Sequence, residues 1–381
     1  MANIRPTSER AAIRSHDCAV YVSLELSCSK WLVTSLLAGS ERMSRHTIEA
    51  GDAPGLLSLL AGLGGKAQEL AGTPARIVTI QEAGRDGFWL HRLLVSNGIE
   101  SHVVDAASVS VPRRRRRAKS DSIDGEVLLR TLLAWLRGEP RVCSMVKPPS
   151  PEEEDRRRLC RERHGLITER TRLNNRIRGL LAAQGIKHYN PLRSDSRQRL
   201  EKLETADGRP FPQVLKKEVW RALDRIALLA GQIKTIESER DAQAAQSTIA
   251  TQLSRLRGIG PELAATLWLE CFYRTFPNRR GVGAFGGLAP TPWQSGTIAH
   301  EQGISRAGNP RLRQAMIELA WLWLRYQKTS ALSRWFFKRV GTNSGRVKRI
   351  AIVALARKLL VALWRYVNDG VIPEGAVLKT I

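Results

Sequence analysis

Residues 18–38 read CAVYVSLELSCSKWLVTSLLA, and they decide the fold of the first part of the chain. The runs at 18–26 and 30–38 are rich in β-forming residues, and a short polar break separates them. That pattern is typical of a β-hairpin. A third strand is predicted at 43–50, and residues 54–70, which are rich in Leu and Ala, predict a helix.

Beyond this hairpin, strand and helix signals alternate. RIVTIQ at 76–81 predicts a buried strand, residues 87–97 a helix, and SHVVD at 101–105 a short strand. The resulting order, β-β-β-α-β-α-β, predicts a mixed sheet with helices on its faces. One more helix is predicted from about 121 to 138.

The middle of the chain predicts long helices. The Pro-rich stretch KPPSPEE at 147–153 is a hinge that ends the first domain. Leucines then recur every seven residues, at Leu159, Leu166, Leu173 and Leu180, and a second apolar stripe follows within 212–250. Two such helices form either a coiled-coil stalk or an ordinary helical hairpin packed on the core. The stalk is favoured because few of the heptad positions are apolar.

The last part of the chain is the most basic. Residues 251–381 contain twenty Lys and Arg and only six Asp and Glu. They are expected to be Gly-rich and irregular from 281 to 310 and helical to about 368. We therefore predict three domains: a mixed α/β domain at 1–146, a helical stalk at 147–250, and a mainly helical domain at 251–381.

The composition points to a polyanionic partner. The 381 residues include 61 Lys and Arg against 36 Asp and Glu, which gives a net charge of +25. A hydrophobic content of 43% is enough to bury a sizeable core. A surface this positive repels itself unless a polyanion neutralises it, so nucleic acid is the leading partner and an anionic membrane surface the alternative.

Several classes of protein are excluded by pattern. No apolar run approaches the roughly 20 residues that span a bilayer, and residues 1–14 lack the apolar core of a secretory signal. The five cysteines are widely scattered, without CxxC pairs or zinc spacing. We expect a cytoplasmic, nucleoid-associated protein.

Four acidic residues fall where strands end or a helix begins. Glu25 ends the first strand, Glu82 follows the fourth, and Asp121 and Asp124 share one face of the next helix. Converging carboxylates would repel one another unless Mg²⁺ or Mn²⁺ bound between them. Taken alone, each residue is ordinary, so the prediction rests on the joint pattern beside a basic flank. Two such ions can clamp a phosphodiester.

The basic flank is a run of five consecutive arginines and a nearby lysine. We predict that these side chains grip a nucleic-acid backbone, with a contribution that falls steeply with salt. The residues are Arg113, Arg114, Arg115, Arg116, Arg117 and Lys119. The alternative for this run is a solvated basic loop.

A Gly-rich segment supplies further candidates. Ser295 lies in GVGAFGGLAPTPWQSG, a segment whose small residues allow close approach to a ligand. Downstream, Arg306, Arg311 and Arg313 surround a predicted helix start and could bind phosphate.

LRGIGPELAATL at 256–267 is similar to the hairpin of helix-hairpin-helix modules. In such modules backbone amides hold DNA phosphates without reading bases. Gly258 and Gly260 are the residues that would make this contact. The same Gly-Ile-Gly also suits a simple turn.

Read together, these segments resemble the transposases of the insertion-sequence 110 family, also called DEDD transposases, over nearly the whole chain. The matching blocks are QEAGRDGFWLHRLL (81–94), KSDSIDGEVLLRTL (119–132), and the C-terminal run LRGIGPELAATL, GAFGGLAPTPWQSG and GISRAGNPRLRQAMIELAW. One departure is Glu25, where the family usually has Asp.

The resemblance implies a RuvC-like domain of ribonuclease H type, a helical stalk and a transposase domain with a catalytic serine. Carried over, Glu25, Glu82, Asp121 and Asp124 become the metal-binding tetrad, and Ser295 becomes the nucleophile. The resemblance also implies a structured guide RNA encoded by the element, and dimers or tetramers that combine the tetrad of one subunit with the serine of another.

Three functions follow from these observations. The leading hypothesis is a DNA transposase that moves its own insertion sequence through a phosphoserine–DNA intermediate. The second is a metal-dependent junction endonuclease that uses only the tetrad. The third is a non-catalytic nucleic-acid-binding protein.

Overall fold

The structure is a computed structural model that describes residues 18–84, 87–109, 121–140, 142–295, 298–342 and 345–379. The chain divides into two compact units, Met1–Ser150 and Pro151–Ile381. Across the described ranges, no helix is long and apolar enough to cross a membrane.

The first unit is built on a six-stranded mixed sheet. Its strands are β1 (Ala19–Leu26), β2 (Lys30–Leu37), β3 (Ser44–Glu49), β4 (Arg76–Glu82), β5 (Glu100–Val104) and β6 (Met145–Val146). They lie in the order β3-β2-β1-β4-β5-β6. β1 pairs antiparallel with β2 and parallel with β4. This confirms the predicted mixed sheet; the two-residue β6 at its edge was not predicted.

Helices cover both faces of this sheet. They are α1 (Ala53–Ala71), α2 (Trp89–Ser96) and α3 (Asp121–Leu136). Val20 and Val22 of β1 pack with α1 and α2, whereas Tyr21 packs with α3. The split follows from the two-residue period of a strand, which sends successive side chains to opposite faces. The odd-numbered positions of β1 therefore face α3.

The second unit is mainly helical. Its helices are α4 (Pro151–Arg156), α5 (Arg158–Ala182), α6 (Ser196–Glu201), α7 (Gln213–Ala245), α8 (Thr248–Ser254), α9 (Pro261–Leu267), α10 (Arg279–Phe285), α11 (Pro310–Tyr326), α12 (Ala331–Val340) and α13 (Arg346–Asp369), with a π-helix at Trp268–Phe272. Its largest apolar cluster gathers residues of α11, α12 and α13, including Trp323, Phe336 and Leu359.

The two long helices α5 and α7 pack along each other. Seven of the nine buried residues of α7 recur at alternating intervals of three and four: Val219, Ala222, Ile226, Leu229, Ile233, Ile236 and Arg240. The other two are Leu223 and Ala244. In α5 the leucines of the predicted stripe are only half-buried, while Ile177 and Leu181 are buried. The second predicted helix, 212–250, is divided in two, because the Ser247 side chain accepts the N–H of Ala250 and begins α8.

The expectation of irregular structure from 281 to 310 was wrong. This segment contains α10 and a β-hairpin of β7 (Pro290–Ser295) and β8 (Ile298–Ile304). The register shifts between Pro290 and Pro292. A proline donates no backbone hydrogen bond, so prolines in a run argue against a strand and obscured this two-stranded ladder in the sequence.

Candidate active site

Two of the predicted acids lie at adjacent strand ends. Leu24 of β1 pairs with Gln81 of β4 in parallel register, and Glu25 and Glu82 are the next residues on the two strands. Neighbouring strands lie ~4.8 Å apart, so the two backbones are close here. Side-chain alternation places both half-buried glutamates on the face that α3 covers. The predicted placement of these two acids on neighbouring central strands is what the sheet shows.

The first turn of α3 is held close to the same strands. The Ser23 hydroxyl donates to the carbonyl oxygen of Gly125 at 2.6 Å. A Cβ on Gly125 would lie 2.7 Å from Oγ1 of Thr34, the residue that pairs with Ser23. Only glycine permits this approach, and it brings the helix start, with Asp121 and Asp124, over the strands that carry Glu25.

The acidic residues of α3 have different surroundings. Asp124 is half-buried, and Asp121 begins the helix with a side chain that lies outside the described residues. Glu126 is engaged by Arg130 at 2.7 Å and Arg45 at 3.8 Å. Among the described side chains, no group of three His, Cys, Asp or Glu could hold a metal ion.

Ser295 is the last residue of β7 and pairs with Ile298 of β8. It is followed by residues 296–297, which the structure does not describe. The Ser295 side chain also lies outside the described residues. The backbone therefore places the serine at the end of a hairpin strand.

The run of basic residues predicted to grip a nucleic-acid backbone precedes α3 in the chain. All six positions fall outside the residues that the structure describes, so their contact with nucleic acid stays a prediction. They are Arg113, Arg114, Arg115, Arg116, Arg117 and Lys119.

The three predicted phosphate-binding arginines do not lie together. Arg306 and Arg313 line one large cavity. Arg311 lines a different and much smaller depression beside Glu262 and Glu270. Residues two apart on a helix point in different directions, which separates Arg311 from Arg313.

The loop before α11 is tightly packed and strained. Arg306 has φ 56°, the left-handed region that non-glycine residues avoid. Its carbonyl oxygen accepts a hydrogen bond from Nη1 of Arg313 at 3.0 Å. A Cβ on Gly287 would lie 2.3 Å from the carbonyl oxygen of Ala307, and one on Gly308 would lie 2.4 Å from that of Phe285. Backbone segments thus meet directly under Arg306.

A buried carboxylate anchors this loop. Glu270 is 2% exposed and accepts hydrogen bonds from Nε of Arg161 at 3.1 Å and Nδ2 of Asn309 at 2.8 Å. Asn309 in turn caps α11, because its side-chain oxygen accepts the N–H groups of Arg311 and Leu312. Burial raises the pKa of Glu270, but these hydrogen bonds and the charges of Arg161 and Arg157 outweigh it and leave the pKa below its ordinary value.

The Gly-Ile-Gly turn joins α8 to α9. Gly258 has φ 89°, and a Cβ there would lie 3.2 Å from the Cβ of Tyr326. Gly260 precedes α9 as its N-cap residue. The close contact with α11 accounts for Gly258 by packing, and the predicted phosphate contact of the two glycines remains a prediction.

Comparison with known proteins bears directly on this arrangement. A profile described as "Transposase IS116/IS110/IS902 family" matches residues 250–334, and a second, described as "Transposase" and specific to DEDD enzymes of the IS110 type, matches residues 34–184. A putative transposase, y4rJ, from Sinorhizobium fredii is 57% identical over 393 residues, covering 100% of this chain and 99% of the relative.

The chain belongs to the IS110 family of transposases. More distant relatives agree with this assignment. An uncharacterized 43.6 kDa protein of insertion element IS110 from Streptomyces coelicolor is 26% identical over 55% of this chain and 62% of its own length. A probable family 20 transposase from Pseudomonas aeruginosa is 28% identical over 58% of this chain and 65% of its own length. As a transposase, the protein cuts and recombines DNA, so DNA is its partner.

Several residues of this transposase that shape the candidate site were not predicted. Gly125 had a signal, because a glycine inside a helix costs about 1 kcal/mol relative to alanine and so suggests a packing reason. Glu270 had no such signal, because a single acidic residue in a hydrophobic stretch does not indicate which distant residues it binds. Arg161 and Asn309, which bind it, lie 109 and 39 residues away in sequence.

Proposed function

We propose that this transposase excises and inserts its own insertion sequence, with a metal-binding tetrad of Glu25, Glu82, Asp121 and Asp124 and with Ser295 as nucleophile. The observation that carries the proposal is the pairing of β1 with β4, which sets Glu25 beside Glu82 on the face covered by α3. The two aspartates belong to the first turn of that helix. In this proposal the first unit has the RuvC-like, ribonuclease H-type fold.

The donor set suits a hard divalent cation. All four side chains offer carboxylate oxygens, which Mg²⁺ and Mn²⁺ prefer. Glu25 reaches one methylene further than the aspartate usual in the family, which would compensate for a more distant backbone. When bound, the cation supplies charge stabilisation at the scissile phosphate. The four carboxylates hold and orient it.

The serine carries the covalent chemistry in this proposal. The Ser295 oxygen attacks the phosphorus of a DNA phosphodiester while its proton leaves to a base or to water. The bond from phosphorus to the departing deoxyribose oxygen breaks, and that oxygen takes up a proton. A hydroxyl of the partner strand then attacks the phosphoserine, which rejoins the DNA and releases the serine. No net oxidation or hydrolysis is needed.

Basic residues would hold the DNA during these steps. Arg306 and Arg313 stabilise charge at the phosphate in this proposal, and Arg311 contacts the backbone from the other side of α11. The arginine run at 113–117, Lys119, Gly258 and Gly260 add contacts that do not read sequence. These contacts explain how a chain of net charge +25 is neutralised.

The remaining features of the proposal concern assembly. We propose that α5 and α7 form a coiled-coil stalk within 147–250, between domains at 1–146 and 251–381. The alternating three- and four-residue spacing of buried positions in α7 supports it. A structured RNA from the element would guide target choice, and a dimer or tetramer would combine the tetrad of one subunit with the serine of another.

A covalent-adduct assay tests the mechanism. The full-length protein is incubated with Mg²⁺, labelled element-junction DNA and RNA transcribed from the element's flanking non-coding end, and then run on a denaturing gel. A slow protein–DNA band is expected for the wild type and for Ser305→Ala, a matched serine just beyond the hairpin. The band should be absent from Ser295→Ala and from Asp121→Ala.

The other outcomes assign other functions. Cleavage without an adduct that survives in Ser295→Ala identifies a tetrad-only junction endonuclease. Binding without an adduct or cleavage, with either Mg²⁺ or Mn²⁺, identifies a non-catalytic nucleic-acid-binding protein. Replacing Glu25 with Asp adds a further check, because a change in the length of this side chain should alter cleavage only if the carboxylate holds a metal ion.

A further inference from the structure

A large cavity of the second unit is lined by cations. It has a volume of about 1240 Å³ and lies among α10, α11, α12, α13 and the end of β8. Nine of its lining residues are Arg or Lys, including Arg280, Arg306, Arg313, Arg349, Arg357 and Lys358. Its single acidic residue, Glu374, is already paired with Arg334 at 3.3 Å. Within the described residues, none of the nine cations forms an ion pair, so this cavity needs an external anion.

Part of the lining of the cavity is aliphatic, and we call this part its floor. Leu288, Ile304, Ile317 and Leu332 line it, and Ile350 projects into it with 59% of its surface exposed. A small inorganic anion would contact the arginines and leave this apolar surface in water. The volume also exceeds the roughly 300–1,000 Å³ of small-molecule sites. The occupant must therefore be an extended anion that also has apolar surface.

One ridge of α13 repeats this combination of charge and apolar surface. Arg349, Val353, Arg357, Val361 and Arg365 all line the cavity and follow one another at intervals of four residues. Residues four apart are neighbours on a helix surface, so a basic and an apolar side chain alternate along this row. A rise of 1.5 Å per residue places successive arginines of the ridge about 12 Å apart. A nucleic-acid strand has the same alternation of charged phosphates and flat apolar bases.

The cavity continues to the hairpin that carries Ser295. Pro290 of β7 and Gln302, Gly303 and Ile304 of β8 line it. These residues are the base of the hairpin, and Ser295 stands at its other end. A strand lying in the cavity would therefore run along the hairpin that presents the proposed nucleophile.

We propose that this cavity binds an unpaired strand of DNA next to the phosphodiester that Ser295 attacks. The inference rests on the proposed function for its position in the reaction. Arginines on the rim hold the phosphates, and the aliphatic floor receives the bases. Duplex DNA presents phosphates and sugars outward and keeps the faces of its bases stacked, so it could use the rim but not the floor. A strand that has been cut for exchange is unpaired, and its bases are free.

Fluorescence anisotropy tests this inference without requiring catalysis. Full-length protein is titrated into labelled oligothymidylate in buffer without divalent cations, with duplex DNA and oligouridylate as separate probes. Arg349→Ala should weaken oligothymidylate binding about tenfold, as expected for one charge-assisted contact, and should lower the salt slope by about 0.7. Lys348→Ala removes an equal charge from the neighbouring exposed position outside the cavity and should change affinity less than about twofold.

A second pair of variants tests the floor. Ile350→Glu places a charge in the cavity, whereas Val347→Glu makes the same change at a neighbouring exposed aliphatic residue outside it. Both positions are exposed, so both variants should fold. Weaker binding of oligothymidylate by Ile350→Glu alone supports a floor that contacts bases.

Four outcomes would overturn the inference. Duplex bound more tightly than the single strand, or oligouridylate more tightly than oligothymidylate, would assign another nucleic acid. Equal losses of affinity in Arg349→Ala and Lys348→Ala would indicate that the overall positive charge of the surface, and not the cavity, binds the strand. If Arg349→Ala changed the molar mass of the protein in light scattering but left its affinity for oligothymidylate unchanged, the cavity would be an interface between copies of the chain. The anisotropy assay needs neither Ser295 nor a metal. A negative result in the covalent-adduct assay therefore does not contradict binding of single-stranded DNA in the cavity, and a positive adduct result does not establish that binding.

Discussion

The acidic strand ends of the first unit and the basic cavity of the second are built by opposite means. Glu25 and Glu82 stand side by side because backbone hydrogen bonds set the register of β1 and β4. The cavity gathers cations from helices and loops that lie between residues 279 and 374 of the chain. A sheet edge places residues through a local ladder, whereas a cavity between helices depends on side-chain packing across the whole unit.

This difference suggests that the two regions can be disabled separately. Glu82→Gln removes one negative charge at nearly constant size, and we expect DNA cleavage to fall by at least about 100-fold, as for loss of a group that orients a metal. Binding of oligothymidylate should stay within about twofold of the wild type, because the cavity is untouched. Cleavage gels and anisotropy on the same preparations measure both effects.

Glu100→Gln is the control for that experiment. Glu100 is an acid on the neighbouring strand β5 that pairs with Arg76, and its loss should leave cleavage intact. Joint loss of cleavage and binding in Glu82→Gln would mean that the two regions are not separable.

The buried carboxylate of the second unit should give the largest effect on stability. Arg161→Ala leaves Glu270 buried with Asn309 as its remaining side-chain partner, and we expect a loss of about 3 kcal/mol in the free energy of unfolding. Glu270→Gln keeps the hydrogen-bonding shape and should lose only about 1 kcal/mol. Denaturant titration of the full chain compares them. A larger loss in Glu270→Gln than in Arg161→Ala would show that the Glu270 carboxylate is stabilised without Arg161.

The same group predicts a dependence on pH. The pKa of Glu270 is depressed in the folded protein, so its contribution is complete above the ordinary value of 4.5 and is lost as the pH falls through the lower folded value. The wild type should therefore lose more stability than Glu270→Gln on acidification through this range. Thermal unfolding of both proteins at a series of acidic pH values measures the difference, and parallel curves would contradict it.

At the sheet edge, Gly125→Ala should destabilise the protein by about 1–3 kcal/mol, because its Cβ would overlap Thr34 and push α3 away from β1. Gly62→Ala is the matched control: Gly62 is also a helical glycine of the first unit, a Cβ there would meet nothing within 4 Å, and the change should stabilise α1 by up to about 1 kcal/mol. Adding Thr34→Ala should recover part of the loss in Gly125→Ala. Equal effects of the two glycine substitutions would remove the close approach as the cause.

The smallest expected effect concerns the strained residue of the cavity. Arg306→Gly relieves a positive φ and should raise the free energy of unfolding by about 1 kcal/mol, while it weakens oligothymidylate binding. Arg306→Ala removes the same charge but keeps the strain, so it should weaken binding without raising stability. Calorimetry and anisotropy separate the two. Stabilisation by both variants would mean that charge repulsion, and not backbone strain, is what Arg306 adds.

Local patterns predicted much of the first unit. The strand expected at 76–81 is Arg76–Glu82, and the helix expected at 54–70 is Ala53–Ala71. These elements are marked by short-range periodicity and by turn residues that lie next to them in sequence. The hairpin of β7 and β8 was missed because the prolines of β7 hide the strand pattern. The separation of Arg311 from Arg306 and Arg313 became visible only in three dimensions.

The sequence by itself determined the family, the mixed sheet and the order of its elements along the chain, and it singled out the acids at the strand ends. These follow from residue identity and from spacing over a few positions. Only the tertiary structure decided that Gly125 lets α3 reach β1, that Glu270 binds Arg161 and Asn309, and that nine cations share one cavity. Such contacts join residues far apart in the chain, and their energies depend on burial and packing that no local pattern encodes.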